Sequence, residues 1–427
     1  MLREELDMYK LQELNALLDF LKEHNKFYAK KLERVSLPIS SVLQLPILYR
    51  KDIREYSEEI ISDIVRKEEI KIDYTNGTTE GKALKILKTK AEWIEADFAL
   101  WKQRREIDKK AAKRYAFYYY NGDDYSVGVK KYGERERRVL QFPMKKQNES
   151  KFVDDLKLMD AENIHWIIAP PSILFTLSCI SIKYNMTVKI DIIESISEYL
   201  PEFYKLLFQK VFLGKVYVHY SCHEVWGMGF SDETGKIQIM KECILAQKTD
   251  SRFANGYGRC LVTNLKLKSM PFINYELSDL VKITGNSIET YGFRWTEEVM
   301  VGNKKIHCSF FDNIFMNFPV MYLRPLETYQ IVYTDKKIVI LLATTKASNC
   351  IKVSEYVGRK IREQLDFEIE VECIKTRKFL VDTVSGKMRG IVAKNKVNWE
   401  GWEFGFVNAE SEKDIDKVIT EVEDKNG

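Results

Sequence analysis

Hydrophobic positions change their period along the chain. In residues 3 to 34, Leu11, Leu14, Leu18 and Leu21 recur at three- and four-residue steps among lysines and glutamates, which predicts an amphipathic helix. Such a face packs on the body of the protein. A partner helix or a membrane surface is the alternative, and the mixed sign of the polar face argues against a membrane. From about residue 70 short β-rich runs take over: KIDY, ALKILK, RYAFYYY, HWIIA, TVKIDII and KVYVHY, with helical segments at Ala91 to Arg104 and Pro201 to Gln209. Strands alternating with helices predict an α/β architecture with mixed, largely parallel sheets, whose ligands bind on loops beyond the carboxyl ends of strands. After about residue 290 a second set appears, YQIVYT, KIVILLAT, Ser354 to Gln364 and FEIEVECI. The chain therefore divides into a large N-terminal α/β domain, residues 1–292, and a smaller C-terminal α+β domain, residues 293–427.

Composition narrows the class. The 427 residues are 45% hydrophobic and 30% charged with only 9 prolines, which excludes disordered and collagenous chains. Lysines and arginines number 67 against 63 acidic residues, a net charge of +4 that argues for no nucleic-acid partner and no polybasic membrane anchor. Seven cysteines without a CxxC pair, and an N-terminus without an apolar signal region, predict reduced thiols and a cytoplasmic location. The longest apolar stretch, Trp166 to Ile182, carries Pro170 and Pro171 and falls short of a membrane span.

Four loops could carry chemistry. Asp73-Tyr-Thr-Asn-Gly-Thr-Thr-Glu-Gly-Lys82 lies between two predicted strands. Its glycines let backbone N–H groups approach phosphate oxygens, Thr75, Thr78 and Thr79 add hydroxyls, and Lys82 adds a cation. It is not a Walker A loop, because Gly77 and Gly81 stand too close and Ala83 replaces the metal-binding hydroxyl. An ordinary hairpin connection is the alternative. Tyr220-Ser-Cys-His-Glu224 offers an aromatic face for a base and a carboxylate for Mg2+, or else a buried thiol beside a polar loop. In Met270-Pro-Phe-Ile-Asn-Tyr-Glu-Leu-Ser-Asp279 an apolar strand ends at an acid that could accept both hydroxyls of a ribose, or simply terminate the strand. Val381-Asp-Thr-Val-Ser-Gly-Lys-Met-Arg389 presents Lys387 on a tight turn, as a point charge for a cleft or as a solvated surface lysine.

Taken together and in this order, the four loops resemble the adenylate-forming superfamily of acyl-CoA synthetases, peptide-synthetase adenylation domains and luciferases. Asn25-Lys-Phe-Tyr28 and Leu45-Pro-Ile-Leu-Tyr-Arg-Lys51 are similar to the opening of its phenylacetate-CoA ligase and coenzyme-F-adenylating branch. The resemblance runs from about residue 25 to residue 395. It implies the adenylate-forming enzyme fold and an ATP-dependent adenylation of a carboxylic acid. It also implies transfer of the acyl group to an acceptor thiol, as in CoA or a carrier protein, or to an amine. By the same resemblance Thr75, Gly77, Thr78, Thr79 and Lys82 form the phosphate loop, with Thr78 catalytic, Tyr220 flanks adenine, and Glu224 binds Mg2+. Asp279 holds the ribose hydroxyls, Arg294 in Phe293-Arg-Trp-Thr-Glu297 belongs to the domain hinge and approaches the ribose, and Lys387 bridges the acid and the α-phosphate.

Three positions depart from the family's pattern: Glu80 stands where the loop has glycine, His223 where a phosphate-contacting threonine is common, and Thr296 or Glu297 where the hinge has aspartate. Glu80 would repel a triphosphate, whereas His223 can still donate a hydrogen bond to one. Some relatives carry a Cys/His zinc cluster after the Tyr…Glu motif; Val225 to Glu242 holds neither residue type, so no structural zinc is expected. Tyr118-Tyr-Tyr120 and Trp226 to Phe230 would suit a flat aryl acid, or pack in the core. With the branch resemblance this favours an aryl or small acyl acid. Two further readings stand beside the enzyme: a nucleotide-binding module without turnover, and an interaction protein docking through the leucine stripe.

Overall fold

The computed structural model describes residues 8–75, 84–110, 113–119, 126–132, 135–144, 148–200, 202–232, 234–240, 242–249, 256–294, 298–301, 304–307, 310–311, 314, 328–333, 337–343, 347–366, 368–376, 378–382, 391–393 and 399–403. They fall into two compact units, one of residues 1–109 and 218–295, the other of residues 110–217 and 296–427.

The first unit opens with the expected amphipathic segment, broken into helices Met8–His24 and Lys26–Lys31 by Asn25. Asn25 is the N-cap of the second helix: its side chain accepts from Tyr28 N and donates to Ile60 O at 2.7 Å. Leu14, Leu18 and Leu21 are buried in the core of this unit beside Ile244, Val262 and Leu265. Leu14, Leu18 and Leu21 of the stripe are therefore spent on the protein's own core, with Leu11 half-buried against it, as a face that packs on the body.

Segment 45–48 then runs along the core, its Leu48 N donating to Asn274 O and its Leu48 O accepting from Glu276 N, and leads into the helix Arg50–Glu55. The strands Ile70–Tyr74 and Lys85–Thr89 pair antiparallel as a two-stranded ribbon. Thr89 caps the helix Lys90–Ile107 in a reciprocal bond with Glu92.

The remaining strands of this unit form an antiparallel series in the order Ile244–Thr249, Gly258–Asn264, Tyr275–Thr284, Ser287–Arg294, Ile237–Ile239, Trp226–Ser231, Lys215–Cys222. Here the expected predominance of parallel pairing fails, because these segments follow one another as hairpins. Gly235 at φ 85° and Gly285 at φ 58° supply the left-handed turn residues between two of those pairs. The series also curls on itself. Tyr275–Thr284 and Lys215–Cys222 have three strands between them in sheet order, yet side chains from the two meet directly.

Parallel pairing belongs to the second unit. Arg114–Tyr119 lies between Arg135–Pro143 and Trp166–Ala169, and Trp166–Ala169 pairs with Ile192–Ile196, all parallel, while Ser126–Tyr132 adds an antiparallel edge. The apolar run from Trp166 is a buried strand that turns at Pro170 into the helix Pro171–Lys183, not a span. The run TVKIDII starts its strand late, at Ile192, although Val188 and Ile190 ahead of it are buried. In the same unit Thr328–Tyr333, Lys337–Ala343, Glu370–Lys375 and Ile391–Ala393 make a four-stranded sheet with the helix Ala347–Leu365 between two of its parallel strands, matching the second α/β set. Among the described residues no helix is long and apolar enough to cross a membrane.

Candidate nucleotide site

The ribbon positions the first loop. Thr75 N donates to Leu84 O at 2.9 Å, and Leu84 N donates to Thr75 Oγ1 at 2.8 Å, closing a neck from which residues 76–83 depart. The loop was expected between two strands, and that is where it lies. Thr75, buried, forms part of the neck; Gly77, Thr78, Thr79, Glu80 and Lys82 fall outside the described residues.

The second loop is the tip of a hairpin. The strand Lys215–Cys222 ends in a turn over residues 223–225 and returns as Trp226–Ser231, with Tyr220 opposite Gly229. Gly229 permits the close approach of Ile237–Ile239 on the other side of this strand, since a Cβ there would stand 2.3 Å from Gln238 O. Glu224, only 7% exposed on the turn, accepts at Oε1 from Arg50 Nη1 at 3.2 Å and from Tyr275 Oη at 3.0 Å. Arg50 spans the gap to the neck by donating from Nη2 to Thr75 Oγ1 at 2.9 Å. One guanidinium thus joins the turn carboxylate to the stem of the Gly/Thr loop.

Asp279 receives the Tyr220 hydroxyl at 2.8 Å. It does not end a strand, as expected; it sits inside Tyr275–Thr284 at an irregularity between Asp279 and Val281, where the ladder slips and the pairing shifts. In that ladder the backbone of Arg294 lies opposite Asp279, so Asp279 and the first residues of the segment expected as a hinge are brought together. Trp295 to Glu297 and Lys387 fall outside the described residues.

His223 faces the ribbon: its Nδ1 is 2.8 Å from Asp73 Oδ2, and its carbonyl accepts from Lys88 Nζ at 2.7 Å. Burial alone would raise the Asp73 carboxyl, but the hydrogen bond and charge of His223, with Tyr74 N–H and Lys88, hold it below the ordinary aspartate value. Burial pushes the Lys88 ammonium below the usual lysine value despite Asp73, Cys222, Glu224 and Glu92 around it. The Tyr220 and Tyr275 hydroxyls are held well above the ordinary tyrosine value, by burial first and then by the carboxylates of Asp279 and Glu224 respectively. Burial likewise raises the Cys222 thiol, which with its strand position removes it as a nucleophile paired to His223.

The sequence reading missed Arg50, Tyr275, Asp73 and Lys88 as site residues. Arg50 and Tyr275 lie within segments already singled out, but each reaches Glu224 only through the fold. The aromatic runs divide. Tyr118 is core, its ring against Phe142 and its hydroxyl donating to Asp155, while Trp226 packs edge-on against Trp93 with ring centroids 4.2 Å apart. Met228 and Phe230 are buried, and Phe230 stacks on His219. Tyr120 falls outside the described residues.

Among the described residues no group of three or more His, Cys, Asp or Glu side chains could hold a metal ion. The donor set suits Mg2+ in another way. Among the described residues both hydrogen bonds to Glu224 engage Oε1. A carboxylate with its second oxygen in hand fits a cation that takes most of its ligands from phosphates and water.

No protein-family model and no curated protein matches the chain. Solved structures do. The chain is similar to 2-hydroxyisobutyryl-CoA ligase in the postadenylation state with R3-HIB-AMP, with a TM-score of 0.61 and 15% identity over 96% of this chain and 91% of that one. An open conformation of the same ligase with 2-HIB-AMP and CoA gives a TM-score of 0.55 and 16% identity over 90% of each chain. An ATP-bound RpMatB-BxBclM chimera gives 0.50 and 14% over 74% of this chain and 66% of that one. Likeness at these identities is likeness of architecture, and the architecture is the adenylate-forming enzyme fold.

Proposed function

We propose that this protein activates a carboxylic acid with ATP, forming an acyl-adenylate and releasing pyrophosphate, and then passes the acyl group to a thiol or an amine. The observation that carries the reading is the chain Glu224–Arg50–Thr75, which ties the turn carboxylate to the neck of the Gly/Thr loop. A carboxylate oxygen of the acid attacks the α-phosphorus, the bond from that phosphorus to the bridging oxygen breaks, and pyrophosphate departs with the electron pair. No proton transfer is required, so rate enhancement rests on placed donors and cations. In this proposal the Tyr220 ring covers the base, and Asp279, oriented by the Tyr220 hydroxyl, accepts the ribose hydroxyls with Arg294 nearby. Thr78, Thr79, Gly77 and Lys82 hold the phosphates, and Lys387 meets the acid and the α-phosphate. Glu224 would hold Mg2+, which when bound neutralises phosphate charge. Residues 293–427 are proposed to turn about the segment Phe293–Glu297 for the second half-reaction, with CoA or a carrier pantetheine as thiol. An aryl or small acyl acid is favoured.

One observation favours a second reading, nucleotide binding without turnover: the Arg50 guanidinium already lies on Glu224, a cation against the carboxylate where Mg2+ is needed. Acid-dependent exchange of labelled pyrophosphate into ATP, run over aryl and aliphatic acids, separates the two. Exchange with any acid supports adenylation. ATP binding without exchange supports the second reading.

A further inference from the structure

Lys88 is a buried lysine beside the site. It is 1% exposed, and across the ribbon it stands directly opposite another lysine, Lys71, an arrangement that repels. Among the described residues its ammonium has no ion pair in contact; it donates to the His223 carbonyl at 2.7 Å and lies 4.7 Å from the Trp226 ring centroid. Trp226 itself is held at φ 70°, a conformation a bulky residue keeps only when its surroundings fix it. From the other strand of the same ribbon, Asp73 takes the His223 ring at 2.8 Å. Asp73 and Lys88 stand on either side of residues 76–83, so both stems of the Gly/Thr loop grip the residue next to Glu224.

We propose that Lys88 and Asp73 are positioning residues that clamp His223 by its carbonyl and its ring, and so fix Glu224 relative to the two strands that flank residues 76–83. The inference deepens the adenylation reading and rests on it for its role in catalysis, while the clamp itself is a structural claim with its own readout. A lysine buried at 1% exposure loses solvation that an apolar chain of the same length would not, even with Asp73, Glu224 and Glu92 around it. Its presence is accounted for by the bond it makes to the turn.

The test compares Lys88→Met, Asp73→Leu and Asp73→Asn, with Lys71→Met as a control, since the Lys71 ammonium lies over Trp93, 3.8 Å from its ring centroid, on the strand opposite Lys88. Amide hydrogen exchange over residues 222–226 is expected to rise about tenfold or more in Lys88→Met and Asp73→Leu. Exchange in Tyr275–Thr284 stays as in the wild type, and so does the Tm of Lys88→Met, or it rises. Asp73→Asn, which keeps a hydrogen-bonding group for the ring, and Lys71→Met retain wild-type exchange at the turn. In steady state the KM for ATP rises about tenfold in the two loosened variants while the KM for the acid holds. Unchanged exchange at 222–226 in both loosened variants overturns the clamp. A rise spread over the whole unit with a lowered Tm overturns it too, since that is general destabilisation. A wild-type protein that neither binds ATP nor exchanges pyrophosphate overturns the adenylation reading instead, and turn exchange still decides the clamp.

Discussion

The Tyr220 hydroxyl and the Asp279 carboxylate meet at 2.8 Å although three strands separate their own in the sheet. In a flat sheet four strand spacings amount to roughly 19 Å. The contact therefore exists because the antiparallel series curls until its third and last members face one another, and the same closure lets Tyr275 reach Glu224 at 3.0 Å. Curling the sheet is what gathers an aromatic ring, two carboxylates and the ribbon neck into one place.

If that contact orients Asp279 for a ribose, Tyr220→Phe keeps the ring and loses the orientation. The Kd for ATP is expected to rise about five- to tenfold in Tyr220→Phe and on the order of a hundredfold in Asp279→Ala. Titration calorimetry measures both. Equal affinity in wild type and Asp279→Ala would remove Asp279 from the nucleotide.

Arg50 and Glu224 form a pair with side chains 24% and 10% exposed. Removing one member leaves the other with little solvent, so Arg50→Met should cost about 2–4 kcal/mol of unfolding free energy. Adding Glu224→Gln to it should restore part of that loss, because the stranded charge is gone. Urea denaturation of the two single variants and the double variant gives the coupling; strictly additive effects would show that the pair does not act as a unit.

Lys387 carries the adenylation step in the proposed mechanism. Lys387→Ala should lower single-turnover formation of the acyl-adenylate by about 10²- to 10³-fold. ATP affinity should change little, since the lysine acts on developing charge. A normal rate in this variant would exclude it from the site.

Burial raises the thiols of Cys222, Cys243 and Cys260, that of Cys243 to about 12. Almost none of these thiols is ionised near neutrality, and the thiolate is the reactive form. In native protein at about pH 8 they should resist iodoacetamide for hours and label rapidly once urea unfolds the chain. Mass spectrometry of the peptides distinguishes this from fast native labelling, which would mean the surrounding core opens readily.

The features that sequence revealed are the local ones. Tyr220 near the end of a strand and Glu224 on the turn after it are four residues apart, so their closeness is local, although their candidate roles came from the resemblance and not from spacing; the β-rich runs KIDY and KVYVHY are strands because their composition suits a sheet wherever they pair. Asp279 was recognised as an acid but misplaced at a strand end, because the slip in pairing that exposes it to the site leaves no mark in composition. Arg50 is 174 residues from Glu224 and Tyr275 is 51 from it, distances over which no periodicity speaks. Lys88 reads in ALKILK as an ordinary polar position; only the fold shows it buried. The antiparallel character of residues 218–294 did have a signal. The turns around Gly235 and Gly285 are short glycine turns between strands, and they outweigh the broader strand–helix alternation.

The most direct test of the central claim follows a single oxygen. The acid giving the strongest pyrophosphate exchange, labelled with ¹⁸O in its carboxylate, is turned over with ATP and the acceptor, and the AMP released is weighed by mass spectrometry. Attack of the carboxylate on the α-phosphorus predicts one ¹⁸O atom in the phosphate of AMP. Label appearing in inorganic phosphate with ADP, or AMP carrying no label, would contradict it.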